Sequence, residues 1–307
     1  MRMQSLVRAS GVALAGYLGL IAYAYRPRRE PVVAVADLLG AKDRFVEVGG
    51  QRLRYQQHGQ GKPLVFIHGF AGSLDTWRDL VPLMAGDYAL YTLDLLGFGL
   101  SDKPSHADYS LTKHGQRIVD FIKALDLHDV TLVGHSMGGV VAAFAALHDA
   151  PPQRIRRLAL LDPNFYRRNG PPIPVFFPLP RLLAQRFYDR EGRRASLTRC
   201  YADPNRLDDA LLDRYLAPTK TPGAIEALAA FLETPGPATY AHVPAHIRLP
   251  TLIVWGLQDH LWLLSDGERL QREIAGSQFV TINNAGHMVQ EDQPALLAAA
   301  LRHFIYG

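Results

Sequence analysis

Hydrophobic positions along the chain follow two different periods. Arg44 to Val48 and Arg52 to Gln57 alternate apolar and polar residues around Gly49-Gly50, which predicts a half-exposed antiparallel hairpin. Pro63 to Ile67, Tyr88 to Leu93, Val130 to Val133, Ile155 to Leu161 and Thr251 to Trp255 are instead continuous apolar runs, as expected of parallel strands covered on both faces. Gln278 to Ile282 supplies one more strand. Helical spacing occupies Trp77 to Met84, Leu111 to Leu125 and Met137 to His148, and Pro294 to Phe304 reads as a closing helix with Glu291 and Asp292 at its positive end. Strands alternating with helices predict a doubly wound, mostly parallel α/β sheet.

The alternation breaks between about Asn164 and Pro244. A proline-rich aromatic stretch, Pro171 to Pro180, opens this part, and helical patterns follow around Arg181 to Tyr188, Leu207 to Tyr215 and Ala224 to Leu232. It reads as an insertion over the sheet's active edge. Between Phe165 and Cys200 eight arginines face only Asp189 and Glu191. Such a charged face is either solvated or suited to anionic headgroups. At the other end, Ala9 to Tyr25 is uncharged and mostly apolar, with Arg2 and Arg8 before it and Arg26, Arg28 and Arg29 after it. A helix of that length reaches roughly 25 Å, the lower limit for a bilayer, and predicts a single-pass membrane anchor and membrane association. A cleaved signal peptide ending near Ala22-Tyr23-Ala24 and a buried helix are the competing expectations. The organisation that results is a terminal segment over 1–30, a core over 31–164 and 244–307, and a helical cap over 165–243.

Composition narrows the function classes. With 307 residues, 48% of them hydrophobic, the chain can build one large α/β core, and a net charge of +4 without a basic tail or aromatic RNA motif gives no case for nucleic acid. Cys200 is the single cysteine, which excludes an intrachain disulfide and a cysteine metal cage. No pair of histidines has zinc-site spacing, so no metal is expected.

The run Val130 to Val133 leads into Gly134-His135-Ser136-Met137-Gly138-Gly139, a Gly-x-Ser-x-Gly pattern between a strand and a small-residue helix. A serine on so tight a turn is a candidate nucleophile. Three other stretches fall at carboxyl ends of strands, where sites of such sheets gather: His68-Gly69-Phe70-Ala71-Gly72, Trp255 to His260, and Asn283 to Met288. Together with Asp94-Leu-Leu-Gly97-Phe98-Gly99-Leu-Ser101-Asp102, these motifs occur in an order that resembles the α/β-hydrolase fold family, in its serine-nucleophile, cap-bearing branch, over roughly residues 43–307.

The resemblance implies an eight-stranded sheet and a triad of Ser136 as nucleophile, His287 as base and Asp259 as its carboxylate. It implies an oxyanion hole from the backbone NH groups of Phe70 and Met137. Asp162 also ends a strand and is the rival for Asp259, because chain order fits either. His68, His135 and His260 read as structural hydrogen-bonding groups, Asp94, Ser101 and Asp102 as loop-shaping ones, and Trp77 as core or pocket wall. Serine at position 136 excludes the aspartate-nucleophile dehalogenases and epoxide hydrolases, and implies acyl transfer. The expected reaction is cofactor-free hydrolysis of a small-molecule carboxylic ester, lipophilic in view of the anchor and cap, such as an acylglycerol or other medium-chain ester. A carbon-carbon bond hydrolase of ring-cleavage dienoates is the alternative, and a membrane-tethered binding protein without activity is the third.

Overall fold

The computed structural model describes residues 15–26, 31–149, 154–166 and 177–306. Eight strands among these form one sheet: β1 (Arg44–Val48), β2 (Gln51–His58), β3 (Lys62–Ile67), β4 (Tyr88–Leu93), β5 (Val130–His135), β6 (Ile155–Leu161), β7 (Thr251–Gly256) and β8 (Gln278–Ile282). Their spatial order is β1-β2-β4-β3-β5-β6-β7-β8. The first two pair antiparallel across Gly49 and Gly50, both with positive φ as a two-residue hairpin turn requires. Strand β2 is antiparallel to β4, and every pairing from β4 to β8 is parallel.

The continuous apolar runs have a direct physical reason. Successive strand residues point to opposite faces, and both faces here are covered. On β3, Val65 and Ile67 join a core with Ile118 and Phe121 of α2 (Leu111–Ala124) and Val140 of α3 (Met137–His148). Leu64 and Phe66 join another with Leu297, Leu301 and Phe304 of α10 (Pro294–Tyr306). Trp77 belongs to this second core, its ring centroid 5.0 Å from that of Phe66. Between β6 and β7 stand the inserted helices α4 (Leu179–Tyr188), α5 (Arg190–Thr198), α6 (Asp209–Leu216) and α7 (Ala224–Leu232). Asp189 and Asp208 cap α5 and α6, accepting from the amides of Gly192 (2.6 Å) and Leu211 (2.7 Å). Three further helices pack with the sheet: α1 (Val81–Met84), α8 (Leu264–Glu273) and α9 (Val289–Asp292).

The expected membrane anchor is overturned, and membrane association loses its basis with it. No helix among the described residues is long and apolar enough to cross a membrane; residues 9–14 of the proposed span and the arginines at 28 and 29 lie outside the described residues. Residues 15–24 form a helix whose end is bound by protein groups. Arg181 Nε (2.9 Å) and Gln185 Nε2 (2.8 Å) on α4 donate to the Ala24 carbonyl, and the Tyr17 hydroxyl donates to the Phe177 carbonyl (2.7 Å). Hydropathy registers apolar composition and not these polar contacts of the helix end.

The arginine-rich stretch is likewise not a bare cationic face. Arg186 pairs with Asp189 (2.6 Å), Arg181 with Glu226 (2.6 Å), Arg190 with Asp209 (2.6 Å) and Asp213, and Arg194 with Asp209. Three of those acids lie beyond residue 200, outside the window in which the sequence shows the imbalance. Glu291 departs from expectation in the opposite sense. It is fully buried and accepts from Thr76 Oγ1 (2.7 Å), Arg78 (2.7 Å), the Tyr201 hydroxyl (2.8 Å) and the Tyr215 hydroxyl, joining core to insertion.

His114, an ordinary helix residue by sequence, is buried beside Phe98 and Tyr109 with neither ring nitrogen hydrogen-bonded. Burial, aided by nearby Arg117, pushes its pKa from an ordinary 6.5 down to about 3. The unfolded chain binds a proton in that window and the native chain does not, so this stability is full above 6.5 and lost as pH falls toward 3. His114→Phe is expected to reduce the acid-side loss, measured as the change in urea midpoint between about pH 7 and about pH 4.

Candidate active site

Strand β5 ends at His135 and α3 begins at Met137, leaving Ser136 between them at φ 53° and ψ −117°. This is costly backbone for a residue with a Cβ, and close packing imposes it. A Cβ at Gly134 would meet the Gly138 carbonyl oxygen at 2.3 Å, and one at Gly138 would meet the Ile67 carbonyl oxygen at 2.2 Å. Ser136 NH donates to the Leu161 carbonyl (2.8 Å) on β6, which ties the turn to the sheet.

The loop after β3 runs against this turn. A Cβ at Gly69 would lie 3.2 Å from Ser136 Cβ, and Ala71 has φ 51°. His68 fixes the loop's base: Nδ1 donates to the Gly69 carbonyl (2.7 Å), and Nε2 accepts from Leu95 NH (3.0 Å). Burial holds its pKa below the ordinary range. Asp94 accepts from the amides of Leu74 (2.6 Å) and Leu100 (2.7 Å), while Ser101 Oγ donates to the Asp94 carbonyl (2.6 Å).

His287 follows β8, and its Nδ1 lies 2.8 Å from Asp259 Oδ2, which fixes that nitrogen as donor when the carboxylate is charged. The other oxygen, Asp259 Oδ1, accepts from the amides of Leu261 (2.7 Å) and Trp262 (3.0 Å). His135 Nε2 donates to the His287 carbonyl (2.7 Å), and burial, reinforced by His287, pushes the His135 pKa well down. Asp162, the rival acid, does not reach the histidine through any hydrogen bond. Its Oδ1 accepts from Gly256 NH (2.8 Å), its Oδ2 is buried without a partner, and burial with neighbouring Asp259 pushes its pKa well above the carboxylate range. His260 is exposed.

Ser136, His287, Phe70 and Met137 all line one chamber of about 600 Å³, within the usual range for small-molecule sites. The inserted helices roof it. Phe187 and Phe231 from α4 and α7 pack on the Phe70 ring with centroids 5.1 and 5.4 Å away. The insertion also presses on the histidine loop: a Cβ at Gly286 would sit 2.6 Å from the Cys200 carbonyl oxygen, and Met288 NH donates to that oxygen (3.0 Å). Two wall residues carried no sequence signal of a site, Arg193 of α5 and Trp262, whose ring stands edge-on to His287 at 6.0 Å.

A model of the alpha/beta hydrolase family matches residues 64–300. An uncharacterized hydrolase of Bacillus subtilis (strain 168) is 27% identical over 254 residues, 82% of this chain and 92% of its own. The 2-hydroxy-6-oxo-6-(2'-aminophenyl)hexa-2,4-dienoic acid hydrolase of Metapseudomonas resinovorans is 28% identical over 274 residues, 86% of this chain and 90% of its own. Among solved structures, an N-acyl homoserine lactone degrading enzyme superposes with a TM-score of 0.71 at 26% identity, over 85% of this chain and 100% of that one.

The two aspartates are predicted to respond differently to the same change. Asp259→Asn disturbs the carboxylate that orients His287 and is expected to lower turnover by roughly four orders of magnitude. Asp162→Asn keeps an oxygen for Gly256 NH and is expected to lower it less than about tenfold. Steady-state rates of the purified variants decide; the reverse ranking would move the acid to Asp162.

Proposed function

The chain belongs to the alpha/beta hydrolase family, and from that membership we propose a serine hydrolase that cleaves carboxylic esters through an acyl-enzyme on Ser136. The observation that carries this reading is the 2.8 Å pairing of His287 Nδ1 with Asp259 in a chamber that Ser136 also lines. A serine hydroxyl is a poor nucleophile at neutral pH, so it needs a base. His287 Nε2 takes the proton as Ser136 Oγ attacks the ester carbonyl, and the Asp259 carboxylate offsets the charge of the imidazolium. No hydrogen bond joins Oγ to the ring in this structure; the reaction requires the two to come within hydrogen-bond reach in the complex with substrate.

Charge then develops on the carbonyl oxygen, where the NH groups of Phe70 and Met137 act as donors, each worth roughly 100- to 1000-fold in rate. His287 returns the proton to the leaving alcohol, and water activated by the same ring releases the acid. Phe70, Leu111, Met137, Val140, Phe231 and Leu232 give the chamber an apolar wall, which favours an aliphatic acyl or alcohol part. The lactone-degrading enzyme to which the chain is similar acts on a cyclic ester. A second reading, hydrolysis of a carbon-carbon bond in a dienoate, is favoured by the likeness to the Metapseudomonas resinovorans enzyme.

A panel of aliphatic esters and lactones, assayed beside a coloured ring-cleavage dienoate, separates the two. Turnover of esters is expected, with a loss of at least about a thousandfold in Ser136→Ala, and a fluorophosphonate probe should label only the wild type. Faster cleavage of the dienoate than of every ester would establish the second reading, and no labelling of the wild type would end both.

A further inference from the structure

Arg193 is a buried cation of the chamber wall that no acid among the described residues answers, whereas Arg199 on the same wall is exposed to solvent. It projects from α5 at 2% exposure. Its neighbours Arg186, Arg190 and Arg194 all reach carboxylates, but no carboxylate among the described residues lies within ion-pair distance of Arg193. One terminal NH2 donates to the Ala71 carbonyl (2.7 Å), and its carbon stands 5.2 Å from the ring centroids of both Phe187 and Tyr215. The Nε is buried with no partner.

A carbonyl and two aromatic faces offset only part of the cost of burying a cation, and the missing component is an anion. Arginine does not escape that cost by losing its proton. Ser196 and Leu197, one turn along the same helix face, also line the chamber, so the charge belongs to the cavity wall. The contact with Ala71 places it one residue along the chain from Phe70, whose NH is assigned above to the carbonyl oxygen.

We propose that Arg193 forms an anion subsite inside the chamber and that the substrate is an ester carrying a carboxylate, with that carboxylate bound at the guanidinium and the scissile carbonyl at Ser136. The carboxylate can belong to the acyl or to the alcohol part. The inference rests on the ester-hydrolase reading for its rate readout but not for its binding readout. A guanidinium that already holds its plane through Ala71 and two rings loses little freedom on pairing with a carboxylate, which makes it an efficient recognition element.

Three butyl-sized esters make the test. Monobutyl glutarate carries the charge on the acyl side, the pentanoyl ester of γ-hydroxybutyrate carries it on the alcohol side, and butyl pentanoate replaces either carboxylate by a methyl group. One charged ester is expected to exceed butyl pentanoate in kcat/KM by roughly 10- to 100-fold, mainly through KM, the scale of one hydrogen-bonded charge. In Arg193→Met the ratio of charged to neutral ester should fall to about one or below, whatever happens to the absolute rates. Calorimetry with the Ser136→Ala protein should rank the same three ligands in the same order without turnover. A ratio unchanged in Arg193→Met overturns the subsite. So does binding of neither charged ester more tightly than butyl pentanoate by Ser136→Ala, a result that needs no variant at position 193. Absence of turnover for all three with the wild type, while Ser136→Ala still prefers a charged one, would discard the ester chemistry and keep the subsite.

Discussion

One backbone torsion constrains everything around it. Ser136 can hold φ 53° only because the residues two places before and after it are glycines pressed against neighbouring backbone, with Gly134 on Gly138 and Gly138 on the end of β3. That packing exists only if β3, β5 and β6 are in register at their carboxyl ends, since Gly138 lies against the Ile67 carbonyl and the Leu161 carbonyl accepts from Ser136 NH. The apolar runs that build the sheet are therefore also what positions the hydroxyl. Strain of this kind persists where surrounding structure over-determines it, and here two covered faces and a parallel ladder do so.

Electrostatics in the site follow from the same sheet edge. Asp162 and Asp259 end adjacent strands, and two ionised carboxylates so close in a dry environment repel each other. Asp259 receives two amides and a histidine, whereas Asp162 receives one amide and is driven toward its neutral form. The edge thus concentrates its negative charge beneath His287. Arg193 supplies positive charge to the same chamber from the insertion. Its wall combines apolar side chains with these charged groups.

Much of this was legible in the sequence, for a physical reason. Strand faces buried on both sides write continuous apolar runs, and a tight turn writes glycines, so the parallel strands and the Ser136 turn could be located by reading along the chain. Asp259 and Asp162 could be found but not separated, because what divides them is a 2.8 Å contact to a residue 28 positions away from one and an amide on β7 for the other. Arg193 could not be found at all among eight arginines; its distinction is burial without a carboxylate partner, a property of tertiary neighbours. The N-terminal segment misled because hydropathy sums side chains, while the outcome at its end was decided by a carbonyl meeting Arg181 and Gln185.

Glu291 joins parts of the chain that a domain diagram would separate. Its two carboxylate oxygens are shared by Thr76 and Arg78 from the sheet side and by Tyr201 and Tyr215 from the insertion, four residues beyond His287. Excising the insertion would remove two of these donors and expose to water the loop on which the histidine sits. The helices above the sheet are consequently not a detachable module that tunes a self-sufficient core. Exchange of this insertion for that of a relative would transplant a specificity element only if it brought along groups able to meet the buried carboxylate from above.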